Sequence, residues 1–240
     1  GFSKAKNEIN FDSSSFSNTN KLIRMAVSDG VGNLENSGIC SRILTEKITD
    51  PNTKLKTNTL EIISKELPEN GAATLAFAEV SGNSVRIVSI GDSPVFIASS
   101  KAVFTTQKKA TELKRIHGSN FTEAIRYKKV PKPTISNLPF TPEMTLFLAS
   151  DGVSDFFNSP TVWSQFKLYI EKNDPETFLR VLFELMETLL AAKDDSSGMM
   201  QQDVHLLLQE LGISYNDINN TIPDDDKTLL IYDKSIRINK

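Results

Sequence analysis

The stretch ATLAFAEVSGNSVRIVSIGDSPVFIA, residues Ala73–Ala98, decides the fold class. Three apolar runs of strand length follow one another in it: Ala73–Val80, Val85–Ile90 and Val95–Ala98. Ser81-Gly82-Asn83 divides the first two, and so short a glycine–asparagine turn makes them a hairpin. Adjacent strands joined by hairpins build an antiparallel sheet.

Working outward, Leu22–Val27, Met144–Ser150 and Thr228–Tyr232 read as further strands. Asn36–Thr49 carries apolar residues at helical spacing (Ile39, Cys40, Ile43, Leu44, Ile48), and Thr59–Leu67 continues in the same style. The clearest helix is Pro175–Ala192, with Asp174 as its N-cap and Pro175 at the first helical position. Gln201–Leu211 is a further helix, set off by an exposed loop at Asp194–Gly198. The polar run Ser13–Asn20 reads as a loop or turn, and Ala110–Pro139, with three prolines, as an irregular stretch. Strands and helices mixed in this order predict an α+β fold with antiparallel sheets rather than a doubly wound parallel one.

The 240 residues suit one large domain, and 39% hydrophobic with 24% charged residues is enough for a real core. A net charge of -3 gives no electrostatic case for nucleic acid. No apolar run reaches the roughly 20 residues of a membrane span. Cys40 is the one cysteine, which fits a reducing compartment and points to the cytoplasm. It reads as a packed small residue rather than a nucleophile.

The chemistry lies in aspartates that punctuate the strands. Asp29-Gly30 follows LIRMAVS, Asp92 follows VRIVSI and Gly91, and Asp151-Gly152 follows MTLFLAS. Asp225 stands just before TLLIY, and Asp12 lies near the start. Carboxylates brought together at the ends of buried strands repel one another, and either a raised pKa or a divalent cation relieves that repulsion. Oxygen donors select hard ions such as Mg²⁺ and Mn²⁺. Two histidines and one cysteine in the whole chain argue against zinc.

In order along the chain, AVSDGVG (Ala26–Gly32), GAAT (Gly71–Thr74) with SIGDSP (Ser89–Pro94), LASDGVSD (Leu148–Asp155) and DDKT (Asp225–Thr228) resemble the signature blocks of the type 2C, metal-dependent serine/threonine protein phosphatase family. The resemblance implies a central antiparallel β-sandwich flanked by helices on both outer faces. It implies one catalytic domain over residues 1–240, with a compact flap over about 105–140 and a helical insert over about 160–215. It implies two Mn²⁺ or Mg²⁺ ions in a cleft at one end of the sandwich. Asp29 would bridge both ions, with the Gly30 carbonyl on one. Asp151 and Asp225 would complete the other ion's protein ligands, and Asp12 would be a ligand or act through water. Asp92 and Asp155 match positions near a third, weaker metal. The implied reaction is hydrolysis of phosphoserine and phosphothreonine in proteins by a metal-bridged hydroxide attacking phosphorus in line. The implied partner is a phosphorylated protein, met by a monomer. His117 is a candidate general acid for the leaving alkoxide, while His205 on its helix reads as structural.

The N-terminal block departs from the family's pattern. An arginine five residues before the first aspartate, and an acid or glutamine just before it, are replaced by Asn7 and Phe11. Lys4 and Lys6 lie close enough to supply positive charge for phosphate, though without arginine's fork. These changes motivate an alternative: a pseudophosphatase, the same fold serving as a regulatory binding module. A phosphotransferase working through an aspartyl-phosphate would want a doubly wound fold, which the hairpin signals oppose. A signalling domain without metal is the remaining reading.

Overall fold

The computed structural model describes residues 11–19, 21–31, 34–99, 101–107, 123–172, 174–193, 199–218 and 228–233. Eleven strands are described. β1 (Ser13–Thr19), β2 (Leu22–Ser28), β4 (Leu75–Ser81), β5 (Ser84–Ile90) and β9 (Thr134–Pro139) form one sheet in the order β1-β2-β4-β5-β9. β11 (Leu229–Asp233), β10 (Thr145–Ala149), β6 (Val95–Ala98) and β7 (Val103–Thr105) form a second, in that order. β3 (Ala72–Ala73) and β8 (Ile125–Arg126) make a small separate pair. Every pairing is antiparallel.

The two-residue period of a strand sorts the side chains into layers. Met25, Val27, Ala76, Ala78, Val85, Ile87, Val95, Ile97, Leu146 and Leu148 meet between the two sheets. Their neighbours face outward. Ala26, Leu75 and Phe77 pack beneath α1 (Ser37–Thr49) and α2 (Thr59–Ser64). Phe96, Ala98, Phe147 and Ala149 pack beneath the later helices. Both faces of each central strand are therefore covered, which is why these strands read as unbroken apolar runs. The outcome is the expected helix-flanked antiparallel sandwich.

The second helical layer begins with α3 (Asp151–Ser154) and a 3₁₀ turn (Asp155–Asn158). α4 (Pro160–Glu171), α5 (Pro175–Lys193), α6 (Met199–Leu211) and α7 (Tyr215–Ile218) follow. Ser159 caps α4, accepting the Val162 N–H, and Asp174 accepts the Thr177 N–H at the start of α5. Phe96 stacks on Phe147 with ring centroids 4.5 Å apart, and Phe157, Trp163 and Phe166 extend the cluster to the helices. Each such ring removed from water contributes about 1.5–3 kcal/mol. No helix among the described residues is long and apolar enough to cross a membrane.

The strand expected over Ala73–Val80 is interrupted at Thr74, whose backbone and hydroxyl both bond to Asp29 rather than continuing a ladder. Ser13–Asn20, expected as a loop or turn, is a strand from Ser13 to Thr19. Its serines are held by hydroxyl bonds rather than by apolar burial, so hydrophobic periodicity carries no sign of it. The stretch expected to be irregular holds β8 and β9; β9 is an edge strand, where Pro139 costs no ladder bond. The predicted loop at Asp194–Gly198 lies outside the described residues.

Candidate metal centre

The antiparallel order brings five chain segments to one end of the sandwich. β2 and β5 run the same way, so their C-terminal ends lie together, followed by Asp29 and Asp92. Ser13 pairs with Ser28, which sets Asp12 beside Asp29. Ala149 pairs with Leu229, so Asp151 and the approach to β11 share that end of the second sheet. Carboxylate oxygens of Asp29, Asp92 and Asp151 lie within 4.8 Å of one another, and all three residues are half-buried.

Hydrogen bonds fix this end. Asp29 N–H donates to Thr74 Oγ1 at 2.9 Å, and Thr74 N–H donates to the Asp29 carbonyl at 2.8 Å. Thr74 Oγ1 and Ser93 Oγ share a hydrogen bond of 2.5 Å, linking the Asp29 backbone to the residue after Asp92. Ser28 Oγ donates to the Thr74 carbonyl at 2.6 Å. In the second sheet, Thr228 N–H donates to Ser150 Oγ at 2.9 Å, and Ser150 N–H donates to the Thr228 carbonyl at 3.0 Å. Gly152 N–H donates to Asp151 Oδ1 at 2.7 Å and holds that carboxylate against the turn of α3. Gly30 has main chain close on two sides: an added Cβ would lie 2.7 Å from the Phe11 carbonyl oxygen and 2.9 Å from the Ser37 carbonyl carbon.

Burial pushes the Asp29 carboxyl well above the usual carboxylate range. The charges of Asp151 and Asp12, a hydrogen bond with Asp12, and the charge of Asp92 act in the same direction. Four oxygen-bearing acids crowded into one half-buried place hold mutual repulsion that a hard divalent cation offsets, so the donor set fits Mg²⁺ or Mn²⁺.

The predicted residues divide as follows. Asp12, Asp29, Gly30, Asp92 and Asp151 come together at this end. Asp155 is exposed on the 3₁₀ turn and accepts from Asn158 Nδ2 at 3.2 Å. Asp92, read as a member of a third and weaker site, stands in the same cluster as Asp29 and Asp151. Asp225, Lys4, Lys6 and His117 lie outside the described residues. Phe11, which brings no ligand side chain, contributes its backbone: its carbonyl accepts the Gly30 N–H at 3.2 Å and the Ser41 hydroxyl at 2.5 Å. The hydroxyls of Thr74, Ser93 and Ser150, which fix this end, were not singled out from the sequence. Their signal is a hydroxyl residue fully buried at the edge of an apolar strand.

Residues 52–192 match the family model described as Protein phosphatase 2C. No curated protein matches the chain. Among solved structures, RsbX in complex with magnesium is 14% identical, with a TM-score of 0.59 over 96% of this chain and 90% of that one. The catalytic domain of the serine threonine protein phosphatase PstP in complex with 2 manganese ions is 16% identical, with a TM-score of 0.55 over 96% and 93% of the two chains. Serine/threonine phosphatase Stp1 from Staphylococcus aureus is 16% identical, with a TM-score of 0.54 over 93% and 88%. At such identities the likeness is one of fold.

Proposed function

This chain belongs to the protein phosphatase 2C family, and from that premise we propose that it hydrolyses phosphoserine and phosphothreonine in proteins with the help of a pair of Mn²⁺ or Mg²⁺ ions. The observation that carries the reading is the convergence of Asp29, Asp92 and Asp151 within 4.8 Å. In it, Asp29, Asp151 and Asp225 are the principal ligands, with the Gly30 carbonyl and Asp12 beside them. Asp92 and Asp155 serve a weaker third ion.

Bound there, the ions supply activation of a water nucleophile and offset charge on the phosphoryl oxygens. The chain does the rest. Buried strand ends hold the carboxylates in place, and the link from Asp29 through Thr74 to Ser93 keeps the two acids of the first sheet from drifting apart. Hydrolysis replaces the bond from phosphorus to the serine or threonine oxygen by one to a water oxygen, and the departing oxygen takes a proton. His117 is the assigned donor of that proton, and Lys4 and Lys6 the assigned phosphate contacts. Residues 1–240 act as one catalytic domain and a cytoplasmic monomer, with 105–140 as the flap and 160–215 as the helical insert beside the substrate.

The test is hydrolysis of a phosphothreonine peptide across a Mn²⁺ titration, with Asp151→Asn as control. Metal-dependent turnover that vanishes in the variant supports the enzyme. Absent turnover, with Mn²⁺ still raising Tm, supports the binding-module reading motivated by Asn7 and Phe11. Turnover that survives EDTA sinks the mechanism.

A further inference from the structure

β1 is attached to the rest of the fold in an unusual way. Among the described residues, none of its side chains belongs to a buried apolar cluster, and its one large apolar residue, Phe16, is 52% exposed. Among the described residues it is an edge strand, paired only with β2. Its far end turns directly into β2, with Thr19 opposite Leu22. Its open end, at Phe11, Asp12 and Ser13, is where an edge hairpin frays first, and that end lies at the metal centre.

A row of hydroxyls on α1 meets this strand. Ser41, Thr45 and Thr49 recur every four residues, so they line one helix face, and all three are buried. Ser13, Ser15 and Ser17 line one strand face at the two-residue period. Ser13 Oγ pairs with Thr45 Oγ1 at 2.9 Å and Ser15 Oγ with Thr49 Oγ1 at 2.7 Å. Ser17 Oγ donates to the Thr49 carbonyl at 2.6 Å. Thr45 and Thr49 can each give their single proton to a helix carbonyl in the preceding turn, Ser41 O at 3.1 Å and Thr45 O at 2.7 Å, which leaves their oxygens to accept from the strand serines. The row ends at the site, where the Ser41 hydroxyl and the Gly30 N–H converge on the Phe11 carbonyl.

Resting on the metal reading above, we infer that this hydroxyl ladder is the clamp that places Asp12: Ser41 and Thr45 are positioning residues that hold the open end of β1 closed, so that the Asp12 carboxyl stays beside Asp29. Apolar packing would hold such a strand without regard to direction. Hydrogen bonds at fixed spacing hold it in one place, and the acid one residue beyond Ser13 inherits that place.

The experiment compares the wild type with Ser41→Ala/Thr45→Val and with the hydroxyl-retaining Thr45→Ser. Mn²⁺ affinity is measured by calorimetry, and deuterium uptake by mass spectrometry on metal-free protein. The double variant is expected to bind Mn²⁺ about tenfold more weakly, the usual size of a loss behind a metal ligand. Uptake should quicken in residues 11–19 while β4 and β5 are unchanged, and Thr45→Ser should behave as wild type. If the double variant does not fold, Ser13→Ala removes one rung from the strand side and takes its place. Unchanged uptake overturns the clamp. Faster uptake with unchanged affinity overturns the placing of Asp12. A wild type that binds no Mn²⁺ overturns the proposed function instead, and uptake alone then decides the ladder.

Discussion

Replacing Thr74 by valine keeps its shape and removes one oxygen, and that oxygen serves two groups. Thr74 Oγ1 accepts the Asp29 N–H at 2.9 Å and shares a proton with Ser93 Oγ at 2.5 Å. Thr74 and Ser93 are both fully buried, so water cannot step in without opening the end of the sandwich. A buried polar group left without its partner costs about 1–3 kcal/mol. Two such groups, after local relaxation, put the loss near 3 kcal/mol. In a chain of this length that lowers Tm by about 6–12 °C. Thr74→Ser keeps the oxygen and sacrifices a methyl, about 1 kcal/mol. The assay is a melting curve for each variant with EDTA and with saturating Mn²⁺. Metal should recover less of the stability in Thr74→Val than in the wild type, because Asp29 has lost its backbone tether. A valine variant that melts with the wild type and gains the same increment from Mn²⁺ would show that the tether holds nothing.

Gly30→Ala places a methyl 2.7 Å from the Phe11 carbonyl oxygen, where ordinary contact begins at 3.4 Å. The obstacles are main chain on both sides and cannot rotate away, so a loss of about 1–3 kcal/mol is expected in calorimetric melting, together with weaker Mn²⁺ binding. Asp29 supplies a test in pH. Its pKa is raised on folding, so its favourable contribution to metal-free stability is complete below the ordinary carboxylate value of 3.8 and is lost as pH rises through the higher folded value. With EDTA, Asp29→Asn should therefore melt above the wild type at neutral pH and lose that advantage as pH falls toward 3.8. With Mn²⁺ at neutral pH the order should reverse, and a variant still ahead of the wild type would count against Asp29 as a ligand.

The central strands were legible because two covered faces leave long apolar runs, and the hairpin at Gly82-Asn83 gave their direction. The acids were legible because they interrupt such runs where an ordinary turn would need no charge. β1 was not legible. Its alternation is serine against serine, asparagine and a lone exposed phenylalanine, and although it pairs with β2 beside it, the hydroxyls that hold its serine face lie some thirty residues away on α1. The break at Thr74 was hidden for a similar reason, since the hydroxyl that replaces a ladder bond is satisfied by residues 45 positions earlier and 19 later. That Asp92 stands within 4.8 Å of Asp29 and Asp151 was not legible, because spacing along a chain does not say how far two sheets stand apart.

Asp29 and Asp92 belong to the ends of one sheet, and Asp151 to the end of the other. An ion held among them is a cross-link between two leaves that otherwise touch through side chains such as Met25, Ile87, Val95 and Leu146. The carboxylate spacing is therefore a gauge of how the leaves are seated. A volume change deep in that interlayer, such as Ile87→Ala, is expected to show at the acid-lined end as a change in that spacing, without touching any residue there.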